Sequence, residues 1–404
     1  ASRGLGDVYK RQVDINWPLE EIASDQFQIA GGWGGGTFVG SVGVTLNNLS
    51  IKNFFKKGAW RPYPMGQNQR LSISAQTNGT YYKAFAISFT DPWMGGRKPN
   101  SFTISAHYSD ENNAYYAWQK GTRYFRTAGV AAGLGKRLDW PDPYFTFYAE
   151  ASYERYMLKD WNTFVLKNGA ANLLSIRLVL GRNSVDQPIY PRRGSDFSVS
   201  VQLTPPYSLW DGKDYKSTAL SEQERYNWIE FHKWMLKGQW FTPLTRNGNL
   251  VLMARAEMGY LGHYNKNKVS PFERFEVGGD GMTGYNMYGI DIISMRGYDD
   301  GALDPVGSNY SCAYNKYTME LRYPLLLKGQ TNIYVLGFLE GGNGFTSWKE
   351  FSPFKIKRSA GIGVRLFLPV VGMVGVDWGW GFDPAAGQTK RSGSHIHFTM
   401  GMQF

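Results

Sequence analysis

Apolar and polar residues alternate along this chain with a period of two, in runs of about ten residues ended by Gly, Asn, Asp or Pro. That rhythm is how a strand reads when one face meets lipid and the other lines a polar lumen. Four stretches carry it most clearly. Phe85, Ile87 and Phe89 alternate with Ala84, Ala86 and Ser88, and Leu174, Ile176, Leu178 and Leu180 with Ser175 and Arg177. Phe197, Val199, Val201 and Leu203 alternate with Ser198, Ser200, Gln202 and Thr204. Leu250, Leu252, Ala254, Ala256 and Met258 alternate with Arg255 and Glu257, charges a buried soluble strand rarely carries in succession on one face. The pattern predicts about sixteen strands, near 27–33, 37–47, 68–77, 81–90, 99–108, 124–136, 144–158, 171–183, 195–206, 226–239, 249–262, 315–323, 331–342, 357–368, 371–381 and 394–404. An even count suits a bacterial single-chain barrel. Short turns such as 76–79 sit between longer loops, and the longest, about 263–314, exceeds a routine turn and is a candidate functional element. The expected fold is all-β, a 16-stranded antiparallel transmembrane β-barrel. A soluble sandwich or propeller is the competing reading, but no fixed repeat appears and aromatics crowd the strand ends as membrane girdles do.

Composition agrees and narrows the chemistry. Aromatics make up 16% of the 404 residues, Gly contributes 48, and charged residues reach only 19%. Mean hydropathy is −0.39, and the longest uncharged apolar run, Leu366 to Val376, is interrupted by Pro369 and too short for a membrane helix. The net charge of +11 is scattered, with only pairs such as Lys56-Lys57 and Arg192-Arg193, so no nucleic-acid surface is expected. Cys312 is the sole cysteine, which excludes an intrachain disulfide and a Cys-based metal site. His395 and His397 share a strand face at a spacing that could hold a metal, but no nearby carboxylate or Cys completes a set. Gly31 to Gly36 lacks the Lys-Ser/Thr of a phosphate loop. No enzyme activity, cofactor or metal is expected, although spacing alone does not exclude a Ser/His/acid hydrolase.

Within the long loop lies Met295-Arg296-Gly297-Tyr298, which resembles the Val-Arg-Gly-Phe signature in the sixth extracellular loop of the BamA-type outer-membrane insertases, the barrels preceded by periplasmic POTRA modules. Three further features support the resemblance. Phe272-Glu273-Arg274-Phe275 followed by Gly278-Gly279 leads into the loop; Asp186, Pro191 and Gly194 resemble the family's turn between strands eight and nine; Met319 to Pro324 resembles the strand after the loop. Met and Tyr stand where the family usually has Val and Phe, and about sixteen residues separate Gly279 from Arg296 where many relatives have only a few. The resemblance covers residues 25–404, the whole barrel. Residues 13–24 look like the tail of the last POTRA module, and residues 1–12 are unreadable. They contain no apolar core of a signal peptide, so the chain reads as mature or truncated.

A guanidinium confined in a lumen needs carboxylates. Glu320 lies in phase with Thr318 and Arg322 on a polar face, and the family pattern points also to Glu340, where Tyr334, Leu336 and Phe338 share the phase and leave the alternation ambiguous. Arg296 is expected to pair with Glu320 and Glu340; the alternative is an ordinary surface Arg-Gly turn. The first strand, Phe27, Gln28, Ile29, Ala30, Gly31, Gly32 and Trp33, runs into Gly34–Gly36 and is expected to pair poorly. Its glycines could also mark only a tight turn. The last strand places Ile396, Phe398, Met400, Met402 and Phe404 on one face and His397, Thr399, Gly401 and Gln403 on the other, and a terminal Phe resembles the signal by which such barrels reach their assembly machinery. The resemblance implies a lateral seam between these two strands, where an incoming strand pairs and is released sideways into lipid. The partners implied are outer-membrane lipids and lipopolysaccharide, nascent β-barrel clients and accessory lipoproteins, with the bacterial outer membrane as location. A polypeptide-secretion pore of the same superfamily and a passive porin are the alternatives.

Overall fold

The computed structural model describes residues 26–34, 37–60, 63–96, 98–114, 120–281, 290–307, 310–328, 331–368 and 372–400. The expected segments 1–12 and 13–24, most of the loop tip between Gly279 and Arg296, and the terminal Gly401, Met402 and Phe404 lie outside them. Eighteen strands are present among the described residues: β1 (Gln26–Gly34), β2 (Thr37–Leu49), β3 (Gln69–Thr77), β4 (Tyr82–Asp91), β5 (Asn100–Asn112), β6 (Tyr124–Arg137), β7 (Phe145–Lys159), β8 (Gly169–Asn183), β9 (Gly194–Leu203), β10 (His232–Pro243), β11 (Val251–Gly262), β12 (Arg274–Val277), β13 (Ile290–Ile293), β14 (Ala313–Lys328), β15 (Thr331–Phe345), β16 (Lys357–Leu368), β17 (Gly372–Pro384) and β18 (Arg391–Met400). Sixteen form one sheet in chain order, each antiparallel to the next, with β14 following β11; the short parallel pair β12–β13 stands apart inside the long loop.

The alternation sorts as a barrel wall requires. Phe85, Ile87, Leu174, Ile176 and Leu180 are exposed on the outer face, while Ser175, Thr127, Glu257 and Glu320 are buried on the inner one. The sheet curls until its first and last strands approach within 8 Å, Cα to Cα, and among the described residues no hydrogen-bonded ladder joins them. Connections alternate between the two ends. Residues 113–123, 204–231, 263–312 and 346–356 lie at one end, and mostly shorter turns such as 92–99, 138–144 and 244–250 at the other. Long loops mark the extracellular side of such barrels and short turns the periplasmic side.

Three boundaries depart from the sequence reading. The strand expected at 226–239 begins at His232 and reaches Pro243. Tyr226, Ile229, Glu230 and Phe231 are buried because this segment caps the barrel mouth, so its large apolar residues face the interior without forming a strand. β14 runs well past Tyr323, because Pro324 is absorbed as a register shift between Pro324 and Leu326 rather than ending the ladder. The two short strands of the long loop were not expected at all; four residues each are too few for periodicity to register.

The lumen is filled at both ends. Near the extracellular mouth Phe272, Phe275, Met295, Tyr298 and Leu303 of the long loop pack on Phe125, Tyr156 and Leu173 of the wall. Near the periplasmic mouth the β8–β9 turn inserts Tyr190, whose hydroxyl donates to the carbonyls of Asn249 and Arg322 and whose ring meets Tyr334 at 5.1 Å. Between them the β3–β9 side keeps a polar cavity of about 450 Å³ lined by Gln76, His107, Glu150, Arg177 and Gln202 among others.

An arginine on the lipid face has neither a partner nor water at mid-membrane. Ile362, central in β16 and 64% exposed on the outer face, is therefore expected to destabilise the barrel by ~2–4 kcal/mol when changed to Arg. Denaturant unfolding in lipid vesicles checks this; a loss below 1 kcal/mol, on the order of a near-interface site, would place Ile362 away from the hydrocarbon.

Candidate functional site

The long loop enters the lumen along its own short ladder. Phe275 exchanges backbone hydrogen bonds with Ser311, the Gly279 N–H donates to the Tyr298 carbonyl at 3.2 Å, and the Met295 N–H donates to the Gly279 carbonyl at 2.9 Å. These bonds hold Met295, Arg296, Gly297 and Tyr298 as one projecting turn against the inner faces of β14 to β18.

The side chain of Arg296 is buried, and its charge is met from three strands. Its Nη2 lies 2.7 Å from Glu320 Oε1 on β14 and 2.6 Å from Glu340 Oε1 on β15, and its Nη1 lies 3.6 Å from Asp377 Oδ2 on β17. The backbone N–H of Arg296 donates to Glu340 Oε2 at 2.9 Å, so Glu340 holds both the side chain and the main chain. The guanidinium lies over the Phe338 ring at 3.7 Å, where the π face adds attraction. The carboxylates have further partners: Arg322 Nε donates to Glu320 Oε2 at 2.8 Å, and Arg365 grips Asp377 with two bonds of 2.7 Å. Desolvating so many charges is costly, and their mutual pairing offsets it, with Arg322 Nη1 the one nitrogen of that side chain buried without a hydrogen bond among the described residues.

Gly297 sits at φ +85°, where a Cβ would be strained, and that Cβ would also come 2.8 Å from Ser359 Cβ. The wall opposite is glycine too. A Cβ on Gly381 would lie 2.4 Å from the Gly297 carbonyl oxygen, and one on Gly379 would lie 2.8 Å from the Gly297 nitrogen. Backbone therefore meets backbone at this point of β17. The Gly297 N–H then donates to His397 Nε2 on β18 at 2.8 Å, and the Tyr298 hydroxyl donates to the Arg358 carbonyl on β16 at 2.9 Å. Four residues of one loop thus engage each of the five consecutive strands that end the sheet.

The sequence-predicted positions fall out as follows. Arg296, Glu320 and Glu340 are brought together. Tyr334, Leu336 and Phe338, whose phase made Glu340 ambiguous, all face the lumen and are buried there, because the β8–β9 turn and the loop cover that part of the wall. The first strand is not poorly paired on its β2 side: Gln26 to Gly34 form an unbroken ladder with Thr45 to Thr37, Gly31 facing Gly40. The expected weakness of Phe27, Gln28, Ile29, Ala30, Gly31, Gly32 and Trp33 therefore concerns only the other edge. On β18, Ile396 and Phe398 are exposed on the outer face, and Met400 registers with Val374. His395 and His397 hold no shared ligand set: His395 Nδ1 lies 3.1 Å from Asp299, and His397 accepts from Gly297. Among the described residues no group of three or more His, Cys, Asp or Glu could hold a metal.

Asp377, Arg365, Lys316 and the β17 glycines belong to the anchor and were missed. A signal existed in β17, where Gly375, Asp377, Gly379 and Gly381 occupy every second position and leave one charge on an otherwise bare inner face.

Acidic groups of the loop share one bias. Burial pushes the Asp304 carboxyl up to about 8 although the Ser311 hydroxyl and the Val277 N–H donate to it, and pushes Glu273 up to about 7 although Lys233 lies 2.9 Å away. Glu276 is also raised by burial, and further by Asp300.

Two outcomes are expected. Arg296→Met strands Glu320 and Glu340 in a closed space, so the loop anchor should weaken by ~3–5 kcal/mol while the wall stays paired. Protease nicking of the loop at unchanged strand content is the measurement, and a loop as resistant as the parent's refutes the anchor. A carboxyl whose pKa is raised on folding contributes its stability fully below its ordinary value and loses it as pH rises through the raised one. The hydrogen-exchange rate of residues 272–281 and 290–307, divided by the intrinsic base-catalysed rate of an unfolded chain, should therefore rise from about pH 5 to about pH 9. Asp304→Asn should flatten the upper part of that rise; an exchange profile that ignores the substitution removes Asp304 as its source.

Residues 65–404 match the Omp85 superfamily domain. Outer membrane protein assembly factor BamA of Neisseria meningitidis serogroup B is 23% identical over 333 residues, which covers 77% of this chain and 34% of that protein. The chain thus spans about a third of that relative's length. Among solved structures, BamA from Haemophilus ducreyi lacking POTRA domains 1–3 is similar with a TM-score of 0.62 at 17% identity, over 94% of this chain and 69% of that one. CdiB from Escherichia coli is similar with a TM-score of 0.55 at 13% identity, over 94% and 62% of the two chains. At these identities the structural likeness establishes the fold, and the match over most of the sequence establishes the family: this chain is a member of the Omp85 superfamily, an integral β-barrel of the bacterial outer membrane.

Proposed function

We propose that this barrel folds and inserts other β-barrel proteins into the outer membrane, working through the joint between β1 and β18. The observation that carries the reading is the fastening of the long loop to the closing strands: Arg296 binds β14, β15 and β17, Gly297 lies on β17, and its N–H reaches His397 on β18. A loop so placed holds one side of the joint in position. The other side is β1, laddered to β2 alone among the described residues. Its outward edge can accept an incoming strand by backbone pairing, after which the client leaves sideways into lipid. No catalytic group or cofactor takes part; the work is strand pairing and access to the bilayer. Nascent β-barrel clients, outer-membrane lipids with lipopolysaccharide, and accessory lipoproteins are the partners this role calls for, with POTRA modules before the barrel as the docking region. The plugged lumen argues against a passive porin, since Tyr190 and the loop occupy both mouths.

Cysteines introduced as Ala30→Cys and Met400→Cys, in a Cys312→Ser background, tether the two strands. Oxidation is expected to abolish assembly of clients in reconstituted vesicles, and reductant to restore it; undiminished assembly in the oxidised protein removes the joint from the mechanism. Depletion in cells separates the remaining alternative. Loss of many different outer-membrane proteins supports an insertase, and loss of one secreted polypeptide supports a secretion pore of the same superfamily.

A further inference from the structure

We propose that the described part of the β2–β3 turn, residues 50–60 with 63–68, is a docking wedge for anionic phospholipid headgroups on the periplasmic side of the membrane, one strand away from the joint. The turn stands out at its end of the barrel. Every other described connection there is shorter, as residues 92–99, 138–144, 184–193 and 244–250 show. It is also ordered rather than slack: the Ser50 N–H donates to the Pro64 carbonyl at 2.8 Å, Asn53 Nδ2 donates to the Met65 carbonyl at 3.0 Å, and the Trp60 indole donates to the Phe54 carbonyl at 3.0 Å.

That ordering holds large apolar rings out in the open. Phe54 meets Trp60 at 5.0 Å and Phe55 at 5.4 Å between ring centroids, yet Phe55 is 91% exposed and Phe54 and Trp60 are exposed as well. A soluble surface gains nothing from a preorganised aromatic cluster facing water, whereas the headgroup region of a bilayer accommodates rings with one polar edge. Further large apolar side chains are exposed at the same end of the wall, Trp93 and Met94 on the next turn there and Trp140 and Tyr144 on the one after.

Charge selects the headgroup. Lys52, Lys56 and Lys57 on this turn and Lys98 on the β4–β5 turn are all exposed, and none makes an ion pair among the described residues. Neither 50–68 nor 92–99 contains an Asp or Glu, and the adjoining Asp91 accepts from Gln69 and the Trp93 N–H and forms no ion pair with the lysines among the described residues. Rings that enter the interface beneath a carboxylate-free set of lysines match a surface of phosphates with net negative charge. The lysine stems lie along the apolar zone while their ammonium groups reach the phosphates.

The test uses the whole chain with Cys312→Ser and Phe55→Cys, the new thiol carrying an environment-sensitive fluorophore. The protein is reconstituted in phosphatidylethanolamine vesicles with and without phosphatidylglycerol, and a nitroxide on the lipid headgroup serves as quencher. The expected result is blue-shifted, quenched emission that deepens when phosphatidylglycerol is present. A lysine near an anionic surface shifts such an equilibrium about fivefold, so Lys52→Gln, Lys56→Gln and Lys57→Gln together should move it on the order of a hundredfold and abolish the phosphatidylglycerol effect. Heat-modifiable gel mobility confirms that the variant is folded. Solvent-like emission in both lipids overturns the proposal, and so does quenching that ignores both phosphatidylglycerol and the lysines. Shielding of the probe by an added periplasmic protein, without lipid quenching, overturns it in favour of a protein surface.

Discussion

A strand in hydrocarbon must find a partner for every backbone N–H and C=O it exposes there, because no water is available to take them. In this protein the constraint is met, among the described residues, by fifteen antiparallel ladders in chain order, which leave two outer edges there, those of β1 and β18. The long loop is fastened close to that pair of edges. The β1 edge is backed by a continuous ladder to β2, and the β18 edge by a ladder to β17 that shifts register near Pro384.

The long loop is bound to the same region by electrostatics and by shape. One guanidinium draws together carboxylates from β14, β15 and β17, and those carboxylates in turn hold Arg322 and Arg365. Each charge in the set is partnered by others that would otherwise be stranded in a closed space, so the strands are coupled through a group that belongs to none of them. The loop's position and the spacing of the closing strands are therefore one quantity. A shift of β17 against β15 strains the Arg296 contacts, and a displaced loop leaves Glu320, Glu340 and Asp377 to repel one another.

Most of the wall could be read from the sequence because lipid outside and polar lumen inside impose a strict two-residue period, seen in Leu174 to Leu180 and Phe85 to Phe89. Legibility failed where that boundary condition failed. Along β15, Tyr334, Leu336, Phe338 and Glu340 all face inward, and the apolar ones are inside because Tyr190 and Arg296 cover them rather than water. Alternation cannot report a lumen that is filled by the chain's own loops. The Tyr226 to Phe231 segment misled for the converse reason, a loop whose apolar residues are buried over the barrel mouth. Arg296 was legible through the likeness of Met295 to Tyr298 to the family's loop signature, and Glu320 because a charge on a polar strand face suits a confined guanidinium. The inward phase of Asp377 and His397 was legible too, but their pairing with the loop was not, since it depends on how far the sheet curls, which no local pattern encodes.

The glycines of β17 join the two themes. Gly379 and Gly381 leave the inner face of that strand bare, and the Gly297 backbone occupies the space their side chains would have filled. Near its end the strand is packed from inside by the loop's main chain and not by its own residues. The main-chain dock ends in one bond, from the Gly297 N–H to His397 on β18. The β17 glycines thus let the loop's main chain reach the wall directly, one strand from the outer edge of β18.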